Sequence, residues 1–230
     1  MSTNPSDNRS TLLRVDFHTH TNASPDSLLE PKKLVKVARR KGLDRVVITD
    51  HNQVDGAFKA LGIDPELIIV GEEIETLEGE ILAIFVTKRI PPGLPPKEVI
   101  SRLKDQNAFI SISHPFDPMR KGGWRVAALI DILPEIDAIE TFNARCMRPV
   151  YNWRAGAFAK EHNLPGTHGS DAHSAIELGR GSLLLPPFTD APGLRESLKQ
   201  AVSPRLTLSS PLIHITSRYA SWVKKNRNVK

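Results

Sequence analysis

The chain has 230 residues, 40% of them apolar and 25% charged, and 31 Lys and Arg against 26 Asp and Glu give a formal net charge of +5. That balance suits a globular protein with a sizeable core and excludes disordered, collagen-like and low-complexity chains. A single cysteine, Cys146, excludes a disulfide scaffold and any thiolate zinc site. No apolar run approaches the ~20 residues of a membrane span. Met1 to Ser10 carries no apolar leader, so a cytoplasmic protein without membrane partners is expected.

The charge excess is local. Residues 211–230 contain no acid, and Arg218, Lys224, Lys225, Arg227 and Lys230 supply five positives. Without those five, 26 basic residues face 26 acidic ones, so the body is formally neutral. Neutrality argues against a whole-face nucleic-acid surface. The expected organisation is one domain over 11–210 and a basic, solvated C-terminal extension over 211–230.

Short β-branched or aromatic runs predict strands at Leu12–Phe17, Arg45–Thr49, Leu67–Val70, Ile81–Val86, Phe109–Ser113, Ile136–Ile139, Leu183–Leu185 and Leu206–Leu208. Helical spacing appears between them. Pro31–Lys41 carries Leu34, Val37 and Ala38 on one face, with Gly42 as a C-terminal cap. Lys97–Gln106 is next, with Asn107 as its cap. Trp124–Leu133 stops at Pro134, and Tyr151–His162 and Leu194–Val202 complete the set. Strand–helix alternation at this length predicts an α/β fold with a mainly parallel sheet, open or closed into a barrel.

The residues at the carboxyl end of each run are informative. The first run ends in His18-Thr19-His20, the second in Asp50-His51 and the third in Glu72-Glu73. His114 and Glu140 end later runs, and Gly169-Ser170 introduces Asp171-Ala172-His173. Carboxyl ends of parallel strands converge on one rim, where sites are built. Histidines two apart on a strand project to one face, and Asp171 and His173 repeat that spacing. Imidazole and carboxylate without thiolate suit Zn²⁺, Mn²⁺ or Fe²⁺. So many groups fit two or three ions better than one, and paired ions about 3.5–4 Å apart are a device for hydrolysing phosphate esters through a metal-bridged hydroxide. No P-loop, dinucleotide fingerprint or nucleophile elbow is present.

These stretches resemble the PHP (polymerase and histidinol phosphatase) family of metal-dependent phosphoesterases. The matching segments are Asp16-Phe-His-Thr-His-Thr21 continuing to Ser24-Pro-Asp-Ser27, Ile48-Thr-Asp-His51, Gly71-Glu-Glu-Ile74, Ser113-His-Pro-Phe116, Glu140-Thr-Phe-Asn143 and Gly169-Ser-Asp-Ala-His173. The resemblance implies a distorted (β/α)7 TIM-like barrel with a metal cluster at the C-terminal rim of the strands. It implies one ion on His18, His20, Glu73 and Asp171, a second on Asp26, His51 and His173, and a third on Glu73 and His114. Glu80 stands where the family usually has a histidine for that third ion. Glu72 is the alternative to Glu73 if the strand register slips by one.

Asp50, Glu140, Asn143 and His168 are expected behind the ligands, orienting them or capping local structure. Arg145, with Arg148 and Arg120 behind it, is the expected phosphate clamp, because guanidinium pairs with phosphate bidentately. His162 and His214 are expected to be structural and Cys146 inert. The expected activity is hydrolysis of a phosphomonoester, such as a nucleotide or small-metabolite phosphate. Exonucleolytic cleavage of short nucleic acids and a non-catalytic metal-stabilised binding module are the alternatives. The sequence leaves the oligomeric state open.

Overall fold

A computed structural model describes residues 12–120 and 123–227. In chain order the elements are β1 (Leu13–Thr19), α1 (Pro31–Arg40), β2 (Arg45–Ile48), α2 (Asp55–Leu61), β3 (Ile68–Glu75), β4 (Glu80–Ile84), α3 (Pro96–Lys104) and β5 (Phe109–Ile112). They continue with α4 (Val126–Ile132), β6 (Ala138–Asn143), α5 (Pro149–Glu161), β7 (Gly166–Gly169), β8 (Leu183–Leu185), α6 (Ala191–Leu198) and α7 (Ile213–Arg227). A short 3-10 turn at Leu133–Glu135 ends the segment that Pro134 was expected to stop.

The strands form one sheet in the order β7-β6-β5-β4-β3-β2-β1-β8. Its ends meet just past β7: Thr19 bridges Ala172 in parallel, the Asp171 amide donates to the His18 carbonyl at 2.7 Å, and the His20 amide donates to the Ala172 carbonyl at 2.9 Å. The result is a nearly closed, distorted barrel of seven strands, with β8 lying antiparallel outside β1. The expected barrel is present. One strand runs backwards, however: β4 is antiparallel to both β3 and β5. Its first residue, Glu80, therefore lies at the rim where its neighbours end.

Side-chain alternation divides the core. Val46 and Ile48 of β2 and Ile68 and Val70 of β3 face outward against α1 and α2. Val15, Phe17, Val47, Ile69, Ile84, Phe109 and Ala138 face inward, and Ala191, Leu194 and Leu198 of α6 join them at the end opposite the rim. Further up the barrel, small and polar residues replace bulk, with Ser111 and Thr167 hydrogen-bonded at 3.0 Å. A β-bulge between Asp16 and Thr19 breaks the pairing of β1 with β2. Strict alternation after Phe17 would send His18 outward; the bulge turns it inward.

The helix caps behave as expected. Gly42 (φ +68°) and Asn107 (φ +55°) take the left-handed conformation just beyond α1 and α3. Leu206–Leu208 forms no strand, because that extended segment finds no ladder partner. Two short elements lacked a sequence signal: α2, at seven residues, and β7, whose Gly-Thr-His-Gly contains no apolar side chain. The end of the chain also differs from the solvated tail expected for it, since residues 213–227 form α7. Ala220 on this helix is buried, and Lys224 Nζ donates to the Asn22 carbonyl at 2.7 Å and to the Ser24 carbonyl. Among the described residues no helix is long and apolar enough to cross a membrane.

Candidate metal centre

Seven chain segments deliver nitrogen and oxygen donors to one rim. β1 and the residue just past its end bring His18 and His20, the loop after them Asp26, the turn after β2 His51, and β3 Glu73. The start of β4 brings Glu80, the turn after β5 His114, and the segment after β7 Asp171 and His173.

Glu73 sits at the middle. Its Oε2 lies 3.2 Å from His18 Nε2, 3.0 Å from His51 Nδ1 and 3.4 Å from His20 Nε2. Its Oε1 accepts from the Ser113 hydroxyl at 2.6 Å and lies 3.1 Å from His114 Nε2. The register of β3 selects it over its neighbour. Glu72 points outward, where its Oε2 accepts the Ile90 amide at 2.8 Å. Asp171 Oδ1 lies 3.7, 3.3 and 3.4 Å from His18, His20 and His173 nitrogens. Asp26 spans His173 Nε2 at 2.9 Å and His51 Nε2 at 3.7 Å. Glu80 Oε2 comes within 3.6 Å of His114 Nε2.

The residues behind these groups set which imidazole nitrogens are free. Glu140 Oε1 accepts the Nδ1 proton of His18 at 2.9 Å, while its Oε2 accepts the His114 amide at 2.9 Å and the Asn143 amide group at 3.1 Å. The Ser24 hydroxyl donates to Asp50 at 2.7 Å, so toward His20 it acts as acceptor, taking the Nδ1 proton at 3.0 Å. Both histidines therefore turn Nε2 into the cluster, and those two atoms lie 3.0 Å apart. Asp50, through Ser24, and Glu140 thus hold His20 and His18 from behind. Asn143 does the same, donating to Glu140 and, at 3.2 Å, to Asp171.

Two of the groups sit on strained backbone. His114 has φ +22° and Asp171 φ +51°, in the left-handed region that costs a side-chain-bearing residue of order 1–3 kcal/mol. The Asp171 amide bond to His18 and the His114 amide bond to Glu140 hold them there. Gly169 must lack a side chain, since a Cβ would stand 2.3 Å from His18 Cβ and 2.4 Å from Glu140 Oε1.

Charge is concentrated and largely dry. Burial disfavours protonation of His18 and His51, but the carboxylates outweigh it. Glu73 and Glu140 raise the pKa of His18 well above the ordinary value, and Glu73 and Asp26 do so for His51. His20 goes the other way, lowered by burial and by His173 and His51. Burial opposes ionisation of Glu73, yet His18 and His51 hold its pKa well below the carboxylate norm. Burial and the neighbouring Glu73 raise Glu80.

This donor set fits divalent cations. Asp26 Oδ1, His114 Nδ1 and Asp171 Oδ1 are buried without a hydrogen-bond partner, an arrangement that costs free energy unless something else binds them. Donor atoms lie within 4.8 Å of one another in three overlapping sets: His18, His20 and Glu73; His20, His51 and His173; and His51, Glu73 and Glu80. Nitrogen and oxygen donors shared among three sets suit a cluster of borderline or hard ions.

Not every expected residue belongs. His168 faces out of the barrel because alternation along β7 turns Thr167 inward, and its Nδ1 meets the Ser182 carbonyl at 3.3 Å. Arg148 is exposed ahead of α5 and takes no part. Arg145 is buried and already engaged: its Nε lies 3.3 Å from Glu177 Oε1, Nη2 donates to Ser217 at 2.8 Å, and Nη1 sits against His173 Nδ1. A guanidinium so held is a strut beneath the site, not the expected clamp. Arg120 pairs with Asp171 and lies 3.8 Å from Asp117, leaving one side toward open space. Cys146 is a buried thiol whose pKa burial raises, in line with an inert role.

Several contributors went unread in the sequence. Ser24 and Ser113 are such residues, and Glu177 accepts the His173 amide at 3.2 Å. His214, expected to be structural, borders a cavity of about 410 Å³ that opens beside Asp26 and Arg120.

Comparison with known proteins agrees with this geometry. The sequence matches the PHP domain family over residues 16–85 and the PHP-associated family over residues 149–202. Two uncharacterised proteins of Methanocaldococcus jannaschii are similar to it. One is 36% identical over 146 residues (57% of this chain, 82% of the relative), the other 33% identical over 173 residues (73% and 68%). The chain belongs to the PHP domain family.

Solved structures share the fold. PsfC from Pseudomonas syringae has a TM-score of 0.66 at 20% identity, covering 93% of this chain and 99% of its own. A two-domain Bacteroides vulgatus protein containing a predicted PHP-like metal-dependent phosphoesterase has 0.65 at 23% identity, covering 91% and 70%. The lesion-specific endonuclease PfuEndoQ of Pyrococcus furiosus has 0.60 at 16% identity, covering 87% and 60%.

Proposed function

We propose that the protein is a metal-dependent phosphoesterase that hydrolyses small phosphomonoesters, with two or three divalent ions (Zn, Mn or Fe) as cofactors. The observation that carries this reading is the convergence of three overlapping sets of His and carboxylate donors on Glu73 and His20, with Asp26 Oδ1 and Asp171 Oδ1 beside them buried and unpartnered. Bound divalent ions supply a Lewis acid that activates water near neutral pH and screens phosphoryl charge. His18, His20, Glu73 and Asp171 would hold one ion, Asp26, His51 and His173 another, and Glu73, His114 and Glu80 a third.

The chain's own groups do the positioning. Glu140 and the Ser24–Asp50 pair keep the Nδ1 protons of His18 and His20 away from the cluster, so each Nε2 offers a lone pair. Glu73 can serve two ions because its two oxygens face different histidines. The open side of Arg120 leaves a cation beside Asp171 for a phosphoryl oxygen.

Metal analysis of the purified protein, run beside a panel of phosphomonoesters, phosphodiesters and short oligonucleotides, tests the reading. Monoester turnover that is lost on chelation and in Glu73→Gln is expected. Turnover confined to diesters or oligonucleotides would replace it with a nuclease. Bound metal with no turnover of any member would leave a binding module.

A further inference from the structure

The C-terminal helix α7 supplies side chains to the rim that no part of the ligand set explains. His214, Ser217, Arg218 and Ser221 recur at i, i+3, i+4 and i+7, so they share one helical face, and all four line the 410 Å³ cavity. Asp26 and Arg120 border the same cavity, so it abuts the metal-ligand cluster directly. Met119 and Met147 give it an apolar wall.

The helix is fixed in this position. Ser217 accepts from Arg145, and Lys224 donates to the Asn22 and Ser24 carbonyls in the loop that bears Asp26. His214 and Ser217 are half-buried, while Arg218 and Ser221 are exposed at the mouth. Arg218 has no ion pair among the described residues, and residues 211–227 contain no acid to provide one. The cavity thus combines an edge on the cluster at Asp26, apolar surface from Met119 and Met147, and the unpaired cation of Arg218.

Resting on the phosphoesterase reading, we propose that α7 forms the leaving-group pocket, which selects compact monoesters whose organic part carries an anionic substituent bound by Arg218. The volume lies toward the low end of the ~300–1,000 Å³ typical of small-ligand sites. It accommodates one compact organic group and excludes a duplex. Met119 and Met147 cover the apolar face of that group, and the planar guanidinium of Arg218 pairs with a carboxylate or second phosphate.

Binding of two non-hydrolysable probes, phenylphosphonate and 4-phosphonobenzoate, to the metal-loaded protein tests this by calorimetry. The carboxylated probe is expected to bind about tenfold tighter, as one charge-assisted hydrogen bond predicts. Arg218→Ala should erase that preference and Arg218→Lys restore part of it, with metal content unchanged. Ser221→Trp, which fills the mouth, should weaken both probes at least tenfold while leaving inorganic phosphate binding alone. Equal affinity for the two probes, or a preference that survives in Arg218→Ala, overturns the proposal. Selective probe binding without turnover of any phosphomonoester would sink the phosphoesterase reading and leave the pocket standing. Turnover indifferent to Arg218 and Ser221 would do the reverse.

Discussion

The Nε2 atoms of His18 and His20 face each other at 3.0 Å, while the Nδ1 proton of each is committed elsewhere, to Glu140 and to Ser24. Two lone pairs cannot stay that close unless a proton or a cation sits with them. When no metal is bound, the carboxylates of Glu73 and Glu140 overcome burial, raise the pKa of His18 and so favour a proton there. Metal binding must displace it, so protons and metal compete.

Metal should therefore stabilise the fold. A ligand at a thousandfold excess over its Kd adds about 4 kcal/mol, which for a chain of this size is on the order of 10 °C in Tm. Thermal unfolding with Mn²⁺ or Zn²⁺, and again after chelation, measures it. His18→Ala should lose most of the shift.

The pH dependence should reverse sign between the two forms. His18, His51 and His114 have folded pKa values above their unfolded value of about 6.5. Their contribution to the metal-free protein is complete below pH 6.5 and is lost as pH rises through the raised folded values. Metal affinity instead strengthens over that window, as the same protons leave. Tm of the chelated protein should fall from pH 6.5 upward, and the metal-induced increment should grow. Parallel profiles for the two forms would count against a shared site.

Glu72 adds a liability of the same sign. Burial raises its pKa to about 7, only partly offset by the Ile90 amide and Arg89. An unfolded value near 4.5 means the folded state holds the extra proton between pH 4.5 and 7, so stability falls as pH rises through that window, by about 3 kcal/mol at most. Glu72→Gln should flatten the fall. Urea unfolding of both proteins at pH 5 and pH 8 checks this.

Glu140→Gln keeps the shape but cannot accept from His18, His114 and Asn143 together. Metal affinity should weaken about 10–100-fold, the usual cost of losing a group that orients a ligand. Competition with a chromophoric chelator gives the number. Unchanged affinity would mean that β1 alone orients His18.

Arg145→Ala should damage the fold before it damages substrate binding. It strands Glu177, which is fully buried, and breaking a buried pair from one side costs about 3–5 kcal/mol. A drop in Tm on the order of 10 °C is expected, with recovery in the Arg145→Met, Glu177→Gln double variant. A normal Tm with weakened substrate binding would restore the clamp role.

Much of the barrel was legible because strands buried on one or both faces must be β-branched and apolar, as in Arg45–Ile48 and Phe109–Ile112. β7 was not legible, since its Gly-Thr-His-Gly packs against His18 and Thr141, where only small residues fit. α7 was missed because its charge drew attention while the weak spacing of Ile213, Ala220 and Val223 did not. Arg145 and His168 were misplaced for a common reason. Sequence proximity to a ligand does not say which way a side chain points.

By itself, the sequence determined the alternation of strands and helices and the inventory of donors at successive strand ends, because hydrophobic periodicity and residue chemistry are local properties. Only the tertiary structure decided which groups share a site. The bulge in β1 turned His18 inward, and the register of β3 chose Glu73 over Glu72. The reversal of β4 carried Glu80 to the rim, and the return of α7 over the Asp26 loop set Arg218 at the cavity mouth. Each depends on strand register or long-range packing, which pairs residues far apart in the chain and leaves no local trace.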